Sequence, residues 1–564
     1  MLYAEVIVKQ RTQVQKLTYA LSAKIIPYIK VGSPVLVPLR QKSIIGVVVG
    51  FSRSVPREIK TGVREIIKLA DNGSVYSASQ IEVIRRLAQQ YSAPLAEVAF
   101  HALGLPQFLP DSAKKRFTKP VVLTGSWSAR LDAYCRIIAK SSGRTLIIFA
   151  QNAFATSFQG FIETLKHSYR IYPIKRFGGK KRTIKLVKLV RGDERAVLIG
   201  TLGDAFFPLQ AEDMIIIDQP YHLGAKSQLR PFMTARRIAM VRARVENLHL
   251  VLGDTLVSPE DLLLVKDKQF QMATAKHARH ELTIIDRRGQ KESIAPSLLE
   301  EIENSVKARR KILVLVLARG WASALVCQEC GHIFTCPNCN RTPGVRGEKL
   351  LCNYCARAVE LPRLCPDCRS LNLKPVGEGV SAVKNFLSNR FPGVNVSELS
   401  GDQPIVDAKA QIVVATEKIF SFPDVTFDTT FIINADRLLS GIHLDGAWRL
   451  LGYLIELQNR SKQIVVQTYF SDSAVWTAAS TGNVRTFFEK ELTNRQHLRL
   501  PPYGAVISVR GMASTTEKLF EQAKEVTDNV LKILQGRTFR FPKLMTAREE
   551  IIKADLRFTF PNRL

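Results

Sequence analysis

Nowhere in its 564 residues does the chain carry the run of about 18 uninterrupted apolar residues that a membrane span needs. Its opening stretch, MLYAEVIVKQRTQVQKLTYAL, has no apolar core of signal-peptide length. No internal repeat and no low-complexity tract is present. Membrane proteins and solenoids are thereby set aside, and a cytoplasmic location is expected, where thiols stay reduced. Acidic residues are scarce, with 50 Asp and Glu against 81 Lys and Arg, so the net charge is +31. An excess that large points to a polyanionic partner, most simply nucleic acid. Its densest part is Lys175–Arg195, KRFGGKKRTIKLVKLVRGDER, read either as a DNA contact or as a solvated face. Cysteine is nearly confined to one place: of nine, only Cys135 lies outside Cys327–Cys368. Cys135 sits in the apolar helical pattern LDAYCRIIAK and reads as a core residue.

Within that one place stand four C-x-x-C pairs: Cys327/Cys330, Cys336/Cys339, Cys352/Cys355 and Cys365/Cys368. One such turn aims two thiolates at a common centre, and two turns complete a tetrahedral sulfur site. Two four-cysteine sites are expected. Zinc is favoured, because a closed four-thiolate cage suits a structural ion. An iron–sulfur cluster fits the ligands too, but the knuckle-like turns CQECGHIF, CPNCN and CPDCRS favour zinc. A disulfide framework is disfavoured, since nothing points to export.

With 46% hydrophobic residues the chain can bury full cores, and its length suggests several domains. Residues 1–108 read as a unit of short strands (YAEVIVKQ, SPVLVPL, SIIGVVVGF) followed by a helical segment. The stretch LGLPQFLPDSAKKRFTKP, with three prolines, reads as a linker. Beyond it, the apolar runs VVLTG, TLIIFA, AVLIG, MIIID and HLVLG alternate with helical patterns, as in a parallel sheet with crossover helices. A second series begins at ILVLVLARG, pauses for the cysteines, and resumes with QIVVAT, TFIINAD and QIVVQTY. The expected fold class is α/β, with lobes at 119–305 and at 306–326 plus 370–498. A metal module at 327–369 and a small α+β domain at 499–564 complete it.

This layout resembles the primosomal protein N′ family, superfamily-2 helicases of bacterial replication restart. The resemblance rests on VGSPVLVPLRQKSIIGVVVGF (31–51), YSAPLAEVAFHALGLP (91–106), ARGWASALVCQECG (318–331) and LPRLCPDCRSLNLKPVGEG (361–379). FSFPDVT (420–426), NADRLLS (434–440), FFEKEL (487–492) and LPPYG (500–504) come after them in family order. It implies two RecA-like lobes, an N-terminal domain that binds DNA 3′ ends, and two Zn2+ ions. Carried over, Cys327, Cys330, Cys365 and Cys368 hold one zinc, and Cys336, Cys339, Cys352 and Cys355 hold the other. Tyr19, Arg40 and Lys42 become candidate DNA contacts. The family's base-reading phrase matches KLTYAL (16–21), where Leu17 and Thr18 replace an aromatic residue and an Asp. The winged-helix module of well-known members is expected to be missing, because the linker is too short to encode one.

The resemblance also implies ATP and Mg2+, and there the residues depart from the pattern. After VVLTG the P-loop position reads GSWSARLDAY (125–134), with Gly125 and Ser126 but no lysine followed by Ser or Thr. The acidic box ends in Asp218, a possible metal ligand, and Gln219 stands where a glutamate base is needed. Around Arg460 the glycines and second arginine of a finger loop are absent. ATP turnover is therefore expected to be lost. The chain is expected to be a monomeric DNA-binding scaffold for forks, D-loops and single strands. It would meet other restart proteins and single-stranded DNA-binding protein. Two alternatives are a working 3′→5′ helicase with divergent motifs and, more distantly, a zinc-containing RNA-binding or transcription-related factor.

Overall fold

The computed structural model describes residues 2–8, 16–39, 41–55, 62–70, 76–91, 93–102, 118–163, 170–174, 186, 187, 189, 190, 192–222, 225–227, 229, 231–274, 281–288, 290, 292–317, 324–327, 329, 330, 332, 334–337, 343–346, 348–351, 358–376, 379–401, 406–439, 445–497, 500–513 and 552–561. The chain divides into two compact units, Met1–Lys276 and His277–Leu564. The expected lobe boundary at 305 therefore moves to 276. Its physical reason is strand pairing: Glu281–Asp286 lies parallel to Ser461–Thr468 in the second sheet.

In the first unit, β1 (Tyr3–Val8), β2 (Leu17–Ala20), β3 (Pro34–Leu39), β4 (Lys42–Ser52) and β5 (Lys68–Leu69) form an antiparallel sheet of order β2-β1-β4-β3-β5. Alternation along β3 sends Val35 and Val37 into a core shared with Val6, Val48 and Ile66. Helix α1 (Ala78–Gln90) begins at a reciprocal cap: Ser77 Oγ accepts from the Gln80 amide at 3.1 Å, and Gln80 Oε1 accepts from the Ser77 amide at 3.0 Å. Its apolar face does not close a separate domain. Ile81, Ile84 and Leu87 share one core with Val98 of α2 (Leu95–Ala102) and with Met233, Ile238 and Val241. Helices α1 and α2 thus share a core with the first lobe.

The lobe after it is a seven-stranded parallel sheet, order β12-β6-β11-β10-β7-β9-β8. Its strands are β6 (Val121–Thr124), β7 (Thr145–Phe149), β8 (Arg170–Pro173), β9 (Ala196–Gly200), β10 (Met214–Asp218), β11 (His249–Asp254) and β12 (Gln271–Thr274). Helices α3 (Trp127–Lys140), α4 (Asn152–Glu163), α5 (Ala235–Glu246) and α6 (Pro259–Lys266) connect them. The five apolar runs read from the sequence are β6, β7, β9, β10 and β11. The unbroken Val, Ile and Leu of these strands include β10, which is buried on both faces, as a covered parallel sheet demands. After β6 the chain passes over β11 and β10 before laying down β7. That reversal opens a crevice at the carboxyl ends of β6, β11 and β10.

The second unit holds a six-stranded parallel sheet, order β13-β23-β22-β14-β21-β20. It comprises β13 (Glu281–Asp286), β14 (Ile312–Val316), β20 (Val396–Leu399), β21 (Ile412–Ala415), β22 (Phe427–Ile433) and β23 (Ser461–Thr468). Between β14 and β20, β15 (Ala324–Cys327) pairs with β19 (Leu373–Val376). A small antiparallel sheet of β16 (Gly344–Arg346), β17 (Lys349–Leu351) and β18 (Ala358–Glu360) lies between those two in the chain. At the end, β24 (Gly504–Ala513) pairs with β25 (Ile552–Pro561), while the helical part expected there falls outside the described residues.

Leu87 is fully buried where α1 meets α5. Leu87→Ala should lower stability by about 2–5 kcal/mol. A urea midpoint shifted down, with the N-terminal sheet and the first lobe unfolding in one transition, is the expected reading. Two separated transitions would contradict the shared core.

Candidate functional site: a filled crevice and a cysteine cluster

The segments after β6, β10 and β11 line the crevice of the first lobe. Gly125 and Ser126 make a turn of minimal length. Ser126 caps α3, its Oγ accepting from the Ala129 amide at 3.4 Å, and the Gly125 amide donates to the Asp254 carbonyl at 3.0 Å. The strand passes directly into the helix, so no loop of free amides surrounds an open space as in a phosphate cradle.

Helix spacing then decides what fills the crevice. Ser126, Arg130 and Tyr134 recur every four residues and so share one face of α3. Arg130 is fully buried. Its Nε donates to Asp218 Oδ1 at 2.8 Å and its Nη2 to Oδ2 at 3.4 Å. Its Nη1 donates to the Gly125 carbonyl at 2.6 Å and to Thr255 Oγ1 at 3.2 Å. The Tyr134 hydroxyl donates to Asp218 Oδ1 at 2.6 Å. Burial, and then the Asp218 charge, hold that phenol well above its ordinary range, so it remains a donor. The ring reaches this place because residue 253 is glycine: a Cβ there would lie 1.6 Å from the Tyr134 oxygen. Both oxygens of Asp218 are thus engaged by protein donors. A metal ion could reach them only by displacing a guanidinium and a phenol.

The sequence points to Asp218 as a possible metal ligand and, read for motifs, passes over Arg130 and Tyr134. Their signal is present in GSWSARLDAY as a Ser, an Arg and a Tyr at helical spacing. Gln219 adopts φ 52°, and its Oε1 is buried without a hydrogen-bond partner. Asp254 ends β11 close by. Burial pushes its carboxyl up to about 7, the Arg130 charge opposing and the Asp218 charge adding to the rise.

Arg460, expected as the remnant of a lost finger loop, lies in a buried network. It directly precedes β23, at the amino edge of the second sheet, whereas ligands of parallel sheets bind at the carboxyl edge. Its Nη1 donates to the carbonyls of Ile419 and Phe422 at 3.2 and 3.0 Å, and its Nη2 to Glu456 Oε1 at 3.2 Å. It is a buried tie between chain segments, not a finger. Tyr19 is likewise inward: it is buried in the N-terminal core and its hydroxyl donates to the Pro38 carbonyl at 3.1 Å. Such a ring offers no face to a base. Lys42 is exposed at the start of β4, and Arg40 lies outside the described residues. Most of Lys175–Arg195 also lies outside them; Leu186, Val187 and Val190 are buried.

In the second unit, the thiols of Cys327, Cys330, Cys365 and Cys368 lie within 4.8 Å of one another. Cys327 and Cys368 Sγ are 3.5 Å apart, as are those of Cys330 and Cys365. Sulfurs at the corners of a zinc tetrahedron stand about 3.8 Å apart, so the donor set fits a four-thiolate ion. The distances are far beyond a disulfide bond of about 2.05 Å. Backbone holds the cluster from both ends. Cys327 faces Leu373 across the β15–β19 pair, its amide donates to His332 O at 2.9 Å, and the Cys365 amide donates to Ser370 O at 2.9 Å. Arg369, at φ 61°, turns the second knuckle. Among the described residues the module's apolar cluster is small: Leu325, Phe334, Val345 and Leu350 are buried, with Val359, Leu361 and Leu373 packed against them. Of the inner set, Cys336 is buried, and Cys339, Cys352 and Cys355 lie outside the described residues.

An antiparallel β sheet, a parallel α/β lobe and a second parallel lobe interrupted by a cysteine-rich insertion make an α/β architecture of two RecA-like lobes. A family model described as the 3′ DNA-binding domain of PriA matches residues 5–104. The chain is 24% identical over 349 residues to the replication restart protein PriA of Bacillus subtilis, covering 56% of this chain and 43% of that one. Against the Rickettsia felis protein of that name it is 23% identical over 561 residues, covering 88% and 85%. Against that of Haemophilus influenzae it is 24% identical, covering 60% and 50%. The match therefore spans about half of two of these relatives and most of the third. Among solved structures, Mycobacterium smegmatis helicase Lhr bound to ssDNA and AMP-PNP aligns at a TM-score of 0.31 and 11% identity, covering 86% of this chain and 60% of that chain. Saccharomyces cerevisiae Dbp5 aligns at 0.32 and 8%, covering 74% and 97%. Similarity that low carries no weight here. The match at residues 5–104 and the similarity along most of the chain support membership of the replication restart protein PriA family.

The unfolded Asp254 carboxyl loses its proton near pH 4, and the folded one near pH 7. Between those values the native state binds more protons, so stability should fall as pH rises and level off above about 7. Asp254→Asn should abolish that slope and should gain on the wild type at pH 8 relative to pH 5. Parallel stability–pH curves for the two proteins would show that Asp254 does not titrate in this way.

Proposed function

We propose that this protein is a replication-restart factor that binds forked and single-stranded DNA, works with other restart proteins in the cytoplasm, and turns over no ATP of its own. The observation that carries this reading is the Arg130 guanidinium, buried against Asp218 in the crevice where a nucleotide and its metal ion would have to sit. Phosphoryl transfer relies on positioned cations and oriented water rather than on covalent chemistry. Here the carboxylate that would hold the metal is already neutralised. No lysine follows Gly125 and Ser126, no glutamate follows Asp218, and Arg460 serves a structural tie. DNA binding is supported by the match of residues 5–104 to a 3′ DNA-binding domain and by the net charge of +31.

Purified protein should bind a synthetic fork while its ATP hydrolysis stays at background, with and without that fork. DNA-stimulated turnover near 1 s⁻¹, reduced by Asp218→Asn, would instead establish a working motor.

The eight cysteines are proposed to hold two zinc ions, one on Cys327, Cys330, Cys365 and Cys368. Bound there, the ion supplies folding energy to a module whose apolar core is small. Elemental analysis should find two zinc ions per chain, and Cys365→Ser should release one. Iron in place of zinc, or a single ion in fully reconstituted wild type, would refute this assignment.

A further inference from the structure

The carboxyl edge of the second sheet carries a feature that the proposed function leaves unused. Two aromatic residues follow the end of β23, Tyr469 and Phe470, and they are 43% and 44% exposed. They do not hang on a loose turn. The Tyr469 amide donates to Asp436 Oδ1 at 2.9 Å, and the same oxygen accepts from the Thr468 hydroxyl. The Phe470 amide donates to Thr468 Oγ1 at 2.9 Å. The Phe470 carbonyl accepts from the indole Nε1 of buried Trp476 at 2.7 Å and from the Ser473 amide at 3.0 Å. Ser471 Oγ donates to Asp286 Oδ2 at 2.8 Å, while Arg288 spans Asp286, Ser471 and Asp472. Each residue from Thr468 to Asp472 is thus held by at least one hydrogen bond.

Beneath Tyr469 lies a cation. The Arg287 guanidinium carbon is 4.8 Å from the ring centroid. Arg287 is 6% exposed, one of its amino groups donates to the Glu292 carbonyl, and its Nε is buried without a hydrogen-bond partner. The ring is therefore backed by positive charge on one side, and the residue is 43% exposed.

We propose that Tyr469 and Phe470 form a stacking platform for the bases of single-stranded DNA. Every base has a π-face, so rigid exposed aromatics can bind a strand without reading its sequence. The carboxyl ends of parallel strands are where ligands bind in such sheets. Asp286 and Asp472, which would repel phosphates, share the Arg288 cation, and Arg287 beneath Tyr469 adds a second positive charge. The excess positive charge of the chain supplies the attraction for a polyanion. The inference rests on the DNA-binding reading above and assigns to the second lobe a contact that needs no nucleotide.

The test uses the full chain and a thymidine oligonucleotide carrying one 2-aminopurine. Phe470→Ala, at an exposed ring, should weaken single-strand affinity by about 5- to 100-fold, whereas Phe470→Tyr should restore most of it. The slope of log K against log salt should stay unchanged, because no phosphate contact is lost. The probe's fluorescence change on binding should shrink in Phe470→Ala. If the wild type binds and both Phe470→Ala and the Tyr469→Ala/Phe470→Ala double variant bind equally well, the platform is refuted while DNA binding stands. A salt slope reduced by about 1 in Phe470→Ala would mean an ionic contact and would also refute stacking. A wild type that binds no DNA would overturn the DNA-binding reading itself.

Discussion

A guanidinium without access to water lies where three strands of the first lobe end, and the local structure is organised around it. Arg130 is held by Asp218, Gly125 and Thr255, and Asp218 is held in turn by Tyr134. Each member depends on the others. An unpaired charge at this depth is strongly destabilising, so the pair exists only because both partners and their remaining hydrogen bonds are present. The neighbouring features follow from that requirement: a direct strand-to-helix turn at Ser126, a glycine at 253 under the phenol, and Thr255 after β11. An open nucleotide crevice would leave the same carboxylate to water and metal. Here it has become an interior polar core.

This rearrangement leaves the architecture intact, because the sheet does not depend on its loops. The apolar strands of both lobes bury their side chains on two faces, and the crevice is only the rim of that construction. The chemistry at such a rim can therefore vary while the fold is kept. The cysteine ribbon obeys the opposite logic. Among the described residues its apolar cluster is a handful of side chains, and beside it Cys327, Cys330, Cys365 and Cys368 gather at one centre that could hold a metal ion. The lobes around it are built on apolar burial.

The candidate DNA contacts divide along the same line. Tyr19 enters as a candidate through the resemblance at KLTYAL, but in β2 it is buried beside Ala20, with its hydroxyl on the Pro38 carbonyl. Tyr469 and Phe470 belong to an apolar strand signal in QIVVQTY and its continuation, and their exposure results from the strand ending at Thr468. Which aromatic residues face solvent is a question of where strands begin and stop, and that is decided by pairing with neighbours far away in the chain.

The sequence by itself determined the elements whose signals are local. Unbroken apolar runs named nine strands of the two parallel sheets, because covered strands need apolar residues on both faces. The C-x-x-C spacing named the ligand turns, because two thiols three residues apart can meet one centre. The missing P-loop lysine and the missing glutamate after Asp218 could also be read directly. Tertiary structure alone decided what replaced them. Arg130 and Asp218 are 88 positions apart, and only the parallel register of β6, β11 and β10 brings α3 onto the strand end that carries Asp218. The same is true of α1, whose apolar face gave no hint that its partner was α5, and of Arg460, whose role depended on which edge of the sheet it reached. Local periodicity specifies which face of an element is apolar; only the packed chain specifies what that face meets.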